Sequence, residues 1–140
     1  MDELFDADVN YLAVILGTLA AQVLGFLWYG SLFYKPWVAA RGLGPSEGEN
    51  PGPIIYVVPL LCALVIAYTL ARLCDMVGAD SVGDCIAIGA FVWVGFAGTV
   101  QLMQINFSEP KVKRVPTFAI EGSYQLANFA IMAAIIGAFQ

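Results

Sequence analysis

The sequence predicts an all-α fold, an integral membrane four-helix bundle running up-down-up-down as a single transmembrane domain over residues 1–140. Three observations predict it. Hydrophobic residues make up 60% of the chain and charged residues 12%, whereas soluble domains carry about 25% charged residues. Four apolar runs reach the roughly 20 residues that a helix needs to cross a bilayer. The polar links between these runs are short, so successive helices are antiparallel neighbours.

The first span is expected over residues 9–34. Asp8 or Asn10 supplies the side-chain acceptor that a helix start requires. Only Thr18 and Gln22 interrupt its centre, and Gly17, Ala21 and Gly25 recur every four residues. Such a small-residue strip lets helix backbones approach closely in lipid. Trp28, Tyr29, Lys35 and Trp37 close the span with the aromatic and cationic mixture of the headgroup layer, and they are expected to act as interface anchors.

Residues 41–53 are a Gly- and Pro-rich loop. The second span comes next, over residues 54–73, with Pro59 in its first turns, where a kink is tolerable. Tyr68 and Arg72 end it, Arg72 close enough to the end to snorkel outward or to pair with Asp75 or Asp84. A short acidic connection leads to the third span, residues 84–106, thinned on one side by Gly89, Gly95 and Gly98. Trp93 falls near its middle, where core packing, or else stacking on a ligand, would account for it. The fourth span covers residues 116–139, with Pro116 suited to the first helical position and Ala130, Ala134 and Ala138 forming a second small-residue strip.

Orientation follows from the cations. Lys35, Arg41, Lys111, Lys113 and Arg114 all belong to connections one and three, and only Arg72 lies on the other side. The positive-inside rule then makes connections one and three cytoplasmic and both termini non-cytoplasmic. The N-terminus carries acids where a cleavable signal would carry a positive segment, so none is expected.

Composition also excludes chemistry. No histidine is present, which removes the commonest general base and metal ligand. Cys62, Cys74 and Cys85 have no metal-site spacing, so neither a metal nor a cofactor is expected. Cys62 reads as buried apolar filler. Cys74 and Cys85 bracket connection two and form a candidate disulfide on the oxidising side. No basic face suited to nucleic acid is present, and no nucleophile–base arrangement points to an enzyme.

The polar residues inside the spans carry the functional interest. Glu121, Gln125 and Asn128 share one helix face at spacing i, i+4, i+7. Gln101 and Gln104 share a face of the preceding span, and Gln22 with Thr18 offers a third polar stripe. Gln104 is expected to meet Glu121, and Gln101 to meet Gln125, across a seam between spans three and four. Lys113 and Arg114 are alternative partners for Glu121. The seam has two readings. It is interhelical glue at about 0.6 kcal/mol per pair, or it is a polar path, since ionisable groups inside a membrane are functional candidates.

Asn10 and Tyr11, the run Leu27, Trp28, Tyr29, Gly30, then Leu32, Phe33, Lys35 and Trp37 form a pattern at the first span. Gly95 and Phe96 continue it in span three, and Phe118, Gly122, Tyr124, Leu126 and Gly137 in span four. With these residues the chain resembles an uncharacterised family of small four-helix membrane proteins, domain of unknown function 1761. Ser31 departs from the proline that the pattern has after Gly30, and Glu121 stands where the pattern has a neutral polar residue. The resemblance implies four helices and a membrane location, and no activity.

Two function classes therefore stay open. One is a homo-oligomeric transport or permeation unit organised around the polar seam. The alternative is a non-catalytic accessory subunit of a larger membrane complex. The lipid bilayer is the partner common to both.

Overall fold

The computed structural model describes residues 9–43 and 53–140, and among them every regular element is helical. Helix α1 spans Tyr11–Leu32 and α2, a short helix, Tyr34–Arg41. Helices α3, α4 and α5 span Ile54–Val77, Val82–Asn106 and Arg114–Ala138. Helices α1, α3, α4 and α5 are each long and apolar enough to cross a membrane. The expected all-α four-helix architecture is thus present.

Local chemistry sets the helix ends. Asn10 caps α1, its Oδ1 accepting from the amides of Leu12 and Ala13. Asp8 lies outside the described residues. Ser81 caps α4 by accepting from the amide of Asp84. Helix α3 runs one turn past residue 73, to Val77, and stops at Gly78, whose φ of 78° suits the left-handed cap that glycine supplies. Pro116 is the third residue of α5 rather than its first; helix amides that early have no intrahelical carbonyl to meet, so proline is tolerated there.

Helix α5 is the hub. It packs against α1, α2, α3 and α4, while α1 also packs on α3. Helix α4 packs on α5 along both halves, Val82–Val92 most extensively and Gly98–Asn106 less so, and it meets α3 through the first half. The bundle therefore differs along its length. Toward the chain ends and connection two it is solid: Ala13, Val14, Ala67, Leu70, Cys74, Cys85, Met132, Ala133 and Ile136 form one buried cluster. Toward connections one and three the helices stand apart.

Small residues explain the solid half. Gly17 lies against Ala67 and Met132 at ordinary contact distance, so the expected strip on α1 does face its neighbours. On α5 the packed strip is not Ala130, Ala134 and Ala138, of which Ala138 is exposed and the others are half-buried. The buried small residues are Ala133 and Gly137, about one-third of a turn away. A Cβ on Gly89 would stand 3.1 Å from that of Ala133, and one on Gly137 would stand 2.7 Å from the Cα of Val82. Close backbone approach is thus concentrated where α5 crosses the start of α4. Arg72 belongs to the same half. It is only 7% exposed, with its guanidinium 5.4 Å from the centre of the Tyr68 ring, and so packs inward rather than snorkelling out.

Connections one and three are joined physically. The amide of Lys113 donates to the carbonyl of Ala40 at 2.7 Å. Gly42 ends α2 with φ 66°, and a Cβ there would stand 2.9 Å from the carbonyl oxygen of Lys111. Glycine is needed at Gly42 on both counts, since a side chain would meet left-handed strain and backbone at once. This contact fixes α2 against the start of α5.

Candidate functional site

The open half of the bundle encloses a cavity of about 670 Å³. Its wall is built from the second half of α1, from α2, from the first half of α3, from one residue of α4, and from Glu121 to Asn128 of α5. Local backbone features open it. Residues Trp28–Leu32 form a π turn, in which the amide of Phe33 reaches the carbonyl of Trp28 at 2.8 Å. A π turn inserts an extra residue into the helix and rotates the residues beyond it, a feature common at functional sites. Pro59 lies in the facing stretch of α3 and, lacking an N–H, cannot bond the carbonyl of Ile55.

The π turn reorganises the aromatics. Trp28 donates from Nε1 to the carbonyl of Ile120 at 3.0 Å and packs on Phe33 and Tyr124. Tyr29 meets Trp37 and Tyr124 edge-on, with centroids 5.1 and 5.0 Å apart. Tyr29, Trp37 and Tyr124 line the cavity. Of the four residues expected as interface anchors, only Lys35 is exposed; Trp28, Tyr29 and Trp37 are partly buried in contacts within the bundle. Tyr124 also donates from its hydroxyl to the carbonyl of Ala21 at 3.4 Å, tying α5 to α1.

Glu121 has a partner that sequence spacing does not reveal. Arg41, at the end of α2, holds its carboxylate with both Nε and a terminal guanidinium nitrogen, the Nε contact at 2.7 Å. The side chains are 30% and 13% exposed, so the pair is sheltered without being sealed. Such a fork fixes orientation as well as charge. Gln104 does not meet Glu121: it is exposed, on the part of α4 that α3 leaves uncovered. Arg114 instead donates to the carbonyl of Asn106 at 3.0 Å, which closes the α4–α5 hairpin. Both Lys113 and Arg114 lie at the helix start, about 10 Å along the axis from Glu121, whereas α2 folds back beside α5 and carries Arg41 to it.

Beyond the ion pair lies a polar wall. Gln22, Gln101, Glu121, Gln125 and Asn128 all line the cavity, so five of the six seam candidates come together and Gln104 stands apart. Gln22 donates from Nε2 to the carbonyl of Tyr56 at 3.3 Å. The carbonyl oxygens of Gln101, Gln125 and Asn128 are buried with no hydrogen-bond partner, and so is Nε1 of Trp37. Asn128 is only 4% exposed. An unpaired buried polar group costs about 1–3 kcal/mol. Four of them around one cavity are therefore a cost to the fold unless a bound molecule or water meets them.

The remaining candidates fall outside this constellation. Cys74 and Cys85 lie buried at the packed end as free thiols. Cys62, expected as buried filler, is exposed at the cavity edge. Among the described residues no group of three or more Cys, Asp or Glu is placed to hold a metal ion. Trp93 lies over Gly98 of its own helix, where a Cβ would stand 2.9 Å from the indole ring.

No curated protein and no solved structure matches the chain. A family model does, described as protein of unknown function (DUF1761), over residues 12–137. That match takes in all four membrane-crossing helices almost from end to end, and the chain belongs to this family of uncharacterised proteins.

Proposed function

We propose that this protein is a membrane-embedded binding and permeation unit that takes a small amphipathic molecule into the cavity of its open half. The observation that carries the reading is the set of buried, unpartnered amide oxygens on Gln101, Gln125 and Asn128, three residues that line the cavity. Interhelical glue would leave these amides bonded to one another across the helices. A ligand site explains why they are not, because binding sites hold polar groups ready for a partner that comes and goes. Most of the remaining lining, Phe26, Ile55, Tyr56, Ala63 and Ile66 among it, is apolar or aromatic, which suits the body of an amphipathic molecule.

The reading is tested by reconstitution. Ala63 lines the cavity and is otherwise packed, so Ala63→Phe fills the space from the α3 side. Liposomes containing the native protein are expected to pass small amphipathic dyes faster than protein-free liposomes, and Ala63→Phe is expected to abolish the difference. Native mass spectrometry from mild detergent is expected to give a homo-oligomer. Foreign subunits that co-purify in fixed ratio, together with no dye flux, overturn this reading in favour of an accessory subunit.

Orientation belongs to the same proposal. With five of the six cations on connections one and three, the cavity lies in the cytoplasmic half and both termini face away from the cytoplasm. A reporter active only in the cytoplasm, fused after Gln140, is expected to stay silent. Strong signal from that fusion reverses the assignment.

A further inference from the structure

We infer that the ligand of this cavity is an amphipathic organic cation, a protonated amine on an aromatic or aliphatic body. The inference rests on the cavity being a ligand site and adds the charge and chemistry of the molecule that enters it. Among the described residues the lining has one charged member, the carboxylate Glu121, while Arg41, which bonds both its oxygens, stands outside the lining. Among the described residues no cation lines the wall to receive an anion.

The acceptors match an ammonium group in number. Three carbonyl oxygens, of Gln101, Gln125 and Asn128, lack partners, and a primary ammonium has three N–H donors and no acceptor. These oxygens are turned into the wall. A half-turn of each terminal amide presents its oxygen to the cavity and turns its NH2 into the wall, so the ammonium contacts have to outweigh that exchange. Asn128 lies about 10 Å deeper along α5 than Glu121, so a head bound there leaves space for an apolar body toward the mouth. Tyr29, Trp37 and Tyr124 offer ring faces to a cation on its way in. The unpartnered indole N–H of Trp37 is placed for an acceptor on the body of the same molecule.

Three fluorescent probes with one ring system separate charge from shape. Dansylcadaverine carries an ammonium, its N-acetyl derivative is neutral, and dansyl-aminocaproate is an anion. Titrated against the purified full-length protein in detergent, the amine is expected to bind about tenfold more tightly than either of the others, the scale of one desolvated cation contact. Gln101→Leu and Asn128→Leu are each expected to weaken the amine about fivefold and leave the neutral probe unchanged, the scale of one hydrogen bond. Gln101 takes no part in the ion pair, so that variant stays informative even where Asn128→Leu disturbs packing. Equal affinity for all three probes overturns the cation inference and leaves the cavity as a ligand site. Saturable binding of none of them, with Ala63→Phe indistinguishable from the native protein, overturns both.

Discussion

Gly137→Ala is expected to destabilise the protein by about 1–3 kcal/mol, the cost of forcing volume into a close-packed contact. A fall in melting temperature in detergent measures it. The reason is that the new Cβ meets backbone, 2.7 Å from the Cα of Val82 and 2.9 Å from the carbonyl oxygen of Ser81. A flexible side chain could swing away, but a helix start cannot. Ser81 also caps α4, so pushing it aside strains the cap as well as the contact. Ala138→Leu, one residue on, is expected to change stability by less than about 0.5 kcal/mol, because Ala138 faces outward. Equal losses at the two positions would show that α5 does not meet α4 on this face.

That pair also marks the limit of the sequence. Hydropathy alone located the four membrane helices, because a bilayer demands a continuous apolar run and nothing else in this chain supplies one. The face that each helix turns inward is a different matter. Gly17, Ala21 and Gly25 form a strip on α1 that does pack, while the alanines 130, 134 and 138 on α5 form an equally regular strip that does not. Periodicity cannot separate them, since in lipid an outward alanine costs no more than an inward one. The partner's relief decides, and Gly89 on α4 fits Ala133.

The site was legible in its amides and illegible in its aromatics and its ion pair. Glu121, Gln125 and Asn128 share a face by spacing alone, and polar groups in an apolar bundle turn inward. Trp28, Tyr29 and Trp37 sit beside Lys35 at the end of a span, which is the composition of an interface belt. The π turn at Trp28–Leu32 and the fold-back of α2 direct them inward instead, and no residue pattern marks a π turn. Arg41 counted only as a cation for orientation. Its link to Glu121 joins residues 80 apart in sequence and exists only because α2 lies along α5.

Removing the two members of that pair is expected to have unequal consequences. Arg41→Met leaves Glu121 as an uncompensated carboxylate with a side chain only 13% exposed, and is expected to cost about 2–3 kcal/mol, below the range of a fully buried pair because water reaches part of this one. Glu121→Gln leaves Arg41, whose side chain is 30% exposed and long enough to turn toward the headgroup layer. Its cost is expected to stay below about 1 kcal/mol, in the range of partly exposed pairs. The double variant Arg41→Met with Glu121→Gln is then expected to be more stable than Arg41→Met alone, since the stranded charge is gone. A double-mutant cycle on melting in detergent reads these differences directly. Additive losses would mean that the two residues do not interact, and α2 would then be held to α5 by the Lys113–Ala40 backbone contact and by packing. A strong coupling makes the pair a latch that holds α2, and with it the cavity-lining Trp37, against α5.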